Sequence, residues 1–266
     1  MHLQRVLSGL LLFPAAIACI LWSPPRVFAA VVCLLALGAA GEVYALASAW
    51  GVRPVWPTGL AAAALAALTP SLGGAGMALG AMALAGAGTL AWLALAGGDP
   101  SGALARAGVT ALGAAYVGGL LAFALLLRQG PAGPARVLAA ALITWAGDIA
   151  AFYAGRAIGR RRLAPRISPG KTVEGAVAGL LAAALVGAAG GPWFWPGRLL
   201  LGAAAGALVG LAGQVGDLAE SLLKRSLGAK DSGWLIPGHG GVLDRIDSLL
   251  FALPALYGLA RLGLVP

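Results

Sequence analysis

Long apolar runs separated by short polar stretches set the pattern of this 266-residue chain. A helical run of about 20 apolar residues matches the hydrocarbon core of a bilayer. On that measure the chain predicts nine spans, at roughly 6–23, 27–48, 58–74, 76–97, 103–127, 136–156, 172–190, 198–222 and 247–264. Pro24-Pro25, Pro54 to Pro57, Gly97 to Pro100, Gly130 to Pro134 and Pro192 to Pro196 interrupt the runs, as glycine and proline do when they end helices. The third and fourth spans are divided by Ser71-Leu72-Gly73-Gly74 alone, so one broken helix competes there with two spans. Trp22, Trp50, Trp56, Trp193 and Trp195 fall near predicted span ends, where an interfacial aromatic belt would place them. The expected fold is all-α: a polytopic integral membrane helical bundle, with residues 1–266 a single membrane domain.

Composition narrows the class. Sixty per cent apolar residues, 10% charged residues and a mean hydropathy of +0.91 exclude an ordinary soluble domain. The net charge of +9 does not indicate nucleic acid, because so apolar a chain has little surface to offer it. Cations in loops instead set orientation and meet anionic head groups. Nine spans place 13 of the 18 Lys and Arg on the N-terminal side and 5 on the other. The positive-inside rule then makes the N-terminus and the two long polar loops cytoplasmic. Arg5 followed by Val6 to Trp22 has the outline of a signal peptide, and we read it as the first membrane helix. Cys19 and Cys33 lie inside apolar runs and read as packing residues.

Small residues fill the predicted helices, notably at 175–179 and 202–206, which reads as close small-xxx-small packing. Glu42 stands apart inside the second span, because an intramembrane carboxylate is costly unless paired or wet. It is either a structural partner or the edge of an active-site cavity.

The remaining acids cluster. Of nine, all but Glu42 and Asp99 lie between Asp148 and Asp247. Gln214, Asp217, Glu220, Ser221 and Lys224 recur at helical spacing and form one polar stripe. Asp244 and Asp247 start a second stripe at the last helix, where Asp244 would also suit the helix dipole. Five carboxylates within 217–247 suit a hard cation such as magnesium, although a buried salt-bridge network would use the same residues. Between the stripes lies a glycine-rich loop with Lys230, Asp231 and His239, whose backbone N–H groups can approach an anion closely. Further upstream, Gly170-Lys171-Thr172 invites a P-loop reading, but the glycine needed five positions earlier is Pro165. Ser168 and Pro169 read instead as a helix start, so that nearby N–H groups, Lys171 and Thr172 would receive phosphate oxygens. Arg160 to Arg162 read as cytoplasmic anchors. All three lysines, Lys171, Lys224 and Lys230, fall in these two constellations.

The two constellations carry a resemblance. Ser221-x-x-Lys224-Arg225, Lys230-Asp231, Pro237-Gly-His239-Gly-Gly241 and Asp244-Arg245-x-Asp247 resemble the signature of the phosphatidate cytidylyltransferase (CDP-diacylglycerol synthase) family. Ser168-Pro-x-Lys171-Thr172-x-Glu174-Gly175, following Gly147-Asp148, resembles the other motif of that family. The resemblance covers roughly residues 140–247. It implies conversion of CTP and phosphatidate to CDP-diacylglycerol and pyrophosphate, with magnesium required, a second monovalent ion such as K+ allowed, and a homodimer expected. Residues 1–135 would then be N-terminal helices, and 136–266 the catalytic helices and cytoplasmic loops. The implied metal ligands are Asp217 and Asp244 first, Asp231 and Asp247 second, with Asp148 in support. Ser168, Lys171, Thr172, Lys224, Arg225 and Lys230 would bind phosphate. Asp217, Asp244, Lys224, Lys230 and His239 make up the expected catalytic set. The expected location is the bacterial cytoplasmic membrane, with the site facing the cytoplasm.

Two other functions remain in competition. A membrane CTP-dependent enzyme acting on another lipid phosphate would share nearly all these motifs. A cation transporter could also use Asp148 and Asp217 inside the membrane, but cationic loops would repel its cargo, and no inverted repeat is evident.

Overall fold

The computed structural model describes residues 2–72, 75–97, 100–130, 132–190, 198–233 and 240–264. His239, Asp99, Trp193 and Trp195 lie outside the described residues. The described chain forms helices α1 (His2–Trp22), α2 (Pro25–Ala49), α3 (Trp56–Leu72), α4 (Ala75–Leu95) and α5 (Ala103–Arg128). Helix α6 (Gly133–Ile158) leads into a hairpin of β1 (Arg162–Ala164) and β2 (Ser168–Thr172). Helices α7 (Val173–Ala189), α8 (Leu199–Ser226) and α9 (Leu243–Arg261) complete the order. Among the described residues α2, α5, α6 and α8 are long and apolar enough to cross a membrane, whereas α7 has 17 residues. The protein is an all-α membrane protein, with one small hairpin among the described residues.

The chain divides into two compact units: residues 1–126 with 226–245, and residues 127–225 with 246–266. In the first unit the core is built largely from alanine, including Ala36, Ala39 and Ala40 of α2 and Ala62, Ala63, Ala66 and Ala67 of α3. Thr58 Oγ1 and Thr89 Oγ1 lie 2.9 Å apart. That contact joins the start of α3 to the end of α4, so they are two packed helices rather than one broken helix. Tyr44 is fully buried and donates through Oη to the carbonyl of Thr110 at 2.7 Å. Its ring occupies space that a Cβ at Gly59 or Gly113 would fill. Helix α5 contains a π-turn at Ala114–Gly119, and there Gly118 lies against the backbone of Ala63. A side chain at Gly118 would hold α3 away.

The second unit packs through glycine in the same manner. Gly187 sits on Gly202 and Gly206 between α7 and α8, and Gly210 rests on Ala183. A Cβ at Gly216 would lie 2.6 Å from the carbonyl of Asp247 on α9. The small-residue runs at 175–179 and 202–206 therefore mark close helix approaches, as their spacing suggested.

One local expectation changes. Ser168 and Pro169 do not start a helix: Ser168 pairs with Ala164 and Thr172 with Arg162 in an antiparallel ladder. Proline is tolerated in an edge strand because it needs no donor there. The helix begins at Val173, with Thr172 as its extended N-cap. Thr172 Oγ1 accepts the Gly175 N–H at 3.1 Å, satisfying an amide that the first helical turn leaves free. The sequence shows no β-branched run long enough to announce a strand here, and the pairing is a product of the tight return from Ala164 to Ser168.

Candidate active site

The second unit contains an open cavity of about 630 Å³. Helix α6 contributes Asp148, Phe152 and Arg156; the hairpin contributes Arg162, Ser168, Lys171 and Thr172; α8 contributes Gln214 and Asp217. The hairpin delivers its residues because both its ends are tied down. Glu174 on α7 accepts the backbone N–H groups of Arg160 at 3.0 Å and Arg161 at 3.2 Å. Arg225, in the last turn of α8, donates from Nε to the carbonyl of Ile167 at 3.2 Å. The three arginines at 160–162 consequently differ. Arg160 and Arg161 present backbone to Glu174, while Arg162 lines the cavity.

Across this cavity Lys171 Nζ lies 2.6 Å from Asp217 Oδ2, both side chains about a quarter exposed. The pair joins the two sequence constellations directly. One helical turn along α8, Glu220 is buried, and Lys224 Nζ is 2.6 Å from its Oε2. Asp217, Glu220 and Asp247 each bring a carboxylate oxygen within 4.8 Å of the others. Asp247 Oδ1 accepts the Ser248 N–H at 2.7 Å, and Ser248 Oγ lies 3.3 Å from Asp148 Oδ2. Three carboxylates this close repel one another unless cations intervene. Lys171 and Lys224 supply two charges, and an oxygen-rich set of this kind suits a hard divalent ion.

Several expected site residues are thus together: Ser168, Lys171, Thr172 and Asp217 line one cavity, with Asp148 beside them. Asp217 and Asp247 share an acidic cluster with Glu220. Glu220 was visible in the polar stripe at i+3 from Asp217, but its spacing alone did not distinguish a metal ligand from a partner of Lys224. Gln214 is also a lining residue, donating from Nε2 to the carbonyl of Ala176 at 2.9 Å. In the first unit, Asp244 accepts the N–H of Gly241 at 2.8 Å and that of Ser232 at 3.1 Å. Lys230 and Asp231 are exposed there. Glu42 has a structural setting: it is 5% exposed and accepts from Ser232, Val242 and Leu243.

Comparison with known proteins supplies the context for this geometry. The sequence model of the cytidylyltransferase family matches residues 3–262. The chain belongs to the cytidylyltransferase family. Among similar proteins, a Brucella suis phosphatidate cytidylyltransferase is 45% identical over 159 residues, covering 56% of this chain and 56% of the relative. A Synechocystis protein of the same name is 50% identical over 123 residues, 46% of this chain and 41% of the relative. One from Bacillus subtilis is 39% identical over 163 residues, 58% of each. The matched regions span about half the length of these curated relatives.

Proposed function

We propose that this member of the cytidylyltransferase family is a phosphatidate cytidylyltransferase, transferring the cytidylyl group of CTP to phosphatidate. The carrying observation is the Lys171–Asp217 pair, which brings the two polar constellations to one cavity. A phosphate oxygen of phosphatidate attacks the α-phosphorus of CTP, the bond from that phosphorus to the β-phosphate bridge breaks, and pyrophosphate leaves with the bonding pair. The lipid phosphate is already anionic at neutral pH, so a protein nucleophile is unnecessary. The protein must instead align two polyanions and offset their charge.

Lys171, Ser168 and Thr172 line the cavity and serve as phosphate donors in this reading. Lys224 sits on Glu220 and Arg225 on the hairpin, where they hold the cluster and the phosphate-binding strand in place. Asp217, Glu220 and Asp247 have the donor chemistry to hold magnesium. When bound, magnesium would supply charge neutralisation to the leaving pyrophosphate. Asp244, Asp231 and Lys230 complete the proposed machinery through the signature segment, as does a second monovalent ion such as K+. His239 acts as a phosphate donor or loop-shaping residue rather than an obligatory base. Nine spans, a cytoplasmic N-terminus and site, a bacterial inner membrane and a homodimer belong to the same reading, supported by the 13-to-5 cation distribution for orientation.

Incorporation of radiolabelled CTP into lipid is the direct test. The purified protein should label phosphatidate in a magnesium-dependent way, with one pyrophosphate released per lipid. Labelling of a different lipid phosphate in preference would assign another substrate, and no labelling of any lipid would defeat the reaction. For topology, a cysteine at 163 should react from the cytoplasmic face and one at 194 from the opposite face. Labelling of both from one side would defeat the seventh span.

A further inference from the structure

Glu42 has no part in the reaction just described, yet its buried carboxylate accepts three hydrogen bonds. Its Oε1 accepts the Val242 N–H at 2.8 Å, and its Oε2 accepts the Leu243 N–H at 2.8 Å and the Ser232 hydroxyl at 3.0 Å. Leu243 begins α9 and Val242 precedes it. These amides are among those that a helix start leaves without internal partners, and a carboxylate is favoured there by the helix dipole. The cap is supplied from α2, some 200 positions away in the chain.

The surroundings are shaped to this carboxylate. A Cβ at Gly233 would lie 2.7 Å from Glu42 Oε1, and one at Gly241 would overlap both Glu42 Oε2 and Ser232 Oγ. Ser232 continues the network: its own N–H donates to Asp244 Oδ2 at 3.1 Å, joined there by Gly241 at 2.8 Å. Glu42 thus grips Ser232 and Val242, which flank the stretch 233–241, and it reaches Asp244 through Ser232.

We propose that Glu42 is a positioning residue: fixed in α2, it holds both flanks of the signature loop and the first turn of α9, and so orients Asp244. The inference rests on the reading of that segment as reaction machinery. It deepens that reading by adding a residue that acts through Ser232 and the start of α9.

The test uses the full chain in detergent micelles or nanodiscs. Glu42→Gln keeps the shape but turns an amide donor toward the Val242 or Leu243 N–H. Amide exchange at Val242 and Leu243 should then rise at least about tenfold, and trypsin cleavage after Lys230 should accelerate. Turnover should fall at least about tenfold with the KM for CTP within about threefold of wild type. Tyr44→Phe, on the same helix, loses the bond to Thr110 and serves as a control for general destabilisation. It should lower the melting temperature without selective release at 242–243. Even exchange throughout α2 to α5 in Glu42→Gln, or the same selective release in Tyr44→Phe, overturns the proposal. If Glu42→Gln does not fold, Ser232→Ala decides: faster cleavage after Lys230 supports the network, and wild-type cleavage and turnover overturn it. A wild-type protein inactive on CTP would defeat the reaction, while the exchange and cleavage comparisons would still settle the role of Glu42.

Discussion

Glu42 in the first unit and Asp217, Glu220 and Asp247 in the second are all carboxylates carried by apolar helices, but their surroundings differ. Glu42 receives two backbone N–H groups and a hydroxyl, all converging within 3.0 Å. The three acids of the second unit face one another within 4.8 Å, and lysine ammonium groups approach two of them at 2.6 Å. Neutral donors at a helix start satisfy one negative charge. Acids packed against acids, with one lysine paired to each of two of them, leave a surplus of negative potential that a divalent ion would relieve. The contrast separates a carboxylate satisfied by neutral donors from carboxylates that crowd one another, although sequence position and hydropathy make them look alike.

The strongest challenge to that contrast is Asp217→Asn. It keeps the shape of the side chain while removing its charge from the cluster and from Lys171. Turnover should fall by at least about 100-fold, with the melting temperature in detergent lowered by no more than a few degrees. Turnover near wild type at saturating magnesium would remove Asp217 from the machinery. Loss of folded protein would instead make the cluster a structural salt-bridge network, like a larger version of the Glu42 site.

Next in size is a paired comparison within the hairpin region. Lys171→Ala should raise the KM for CTP or lower turnover by about 10- to 100-fold, whereas Arg161→Ala should stay within about threefold. Lys171 lines the cavity and meets Asp217; Arg161 contributes its backbone N–H to Glu174 and its side chain is exposed. Equal losses would reduce the basic hairpin to an anchoring element.

Glu174→Gln probes the support rather than the site. Glu174 receives N–H groups from Arg160 and Arg161, so the change should loosen the base of the hairpin. A rise of roughly threefold to tenfold in the KM for CTP is expected, with kcat nearly unchanged. A fall in kcat at constant KM would place Glu174 nearer the reacting atoms.

What the sequence alone makes legible depends on the range of each interaction. Helices announce themselves by local hydropathy, so α2, α6 and α8 lie close to the predicted runs at 27–48, 136–156 and 198–222. The stripe of Gln214, Asp217, Glu220 and Lys224 needed nothing beyond helical periodicity. The hairpin is hidden from a local reading because Ser168 and Pro169 carry the local marks of a helix start, while the backbone pairing with 162–164 that overrides them is a tertiary return. Glu42 was ambiguous for a stronger reason. Its three donors come from residues 232–243, and hydropathy contains no information about that pairing.

The smallest expected effect tests whether polar contacts in the first unit are structural in general. Thr58 and Thr89 share a hydrogen bond at 2.9 Å that fixes α3 against α4, and Thr89 is fully buried. Thr89→Val preserves the branched shape and removes the hydroxyl, leaving Thr58 with its bond to the carbonyl of Val55 at 3.0 Å. Because one partner keeps an acceptor, the loss should be close to a single net hydrogen bond, about 1 kcal/mol. Thermal unfolding in detergent should register it as a drop of a few degrees or less, and CTP turnover at 25 °C should be unchanged. A turnover loss larger than the stability loss accounts for would mean that polar contacts within α3 and α4 also tune the chemistry, and the division between shaping and reacting groups would then fail in the first unit.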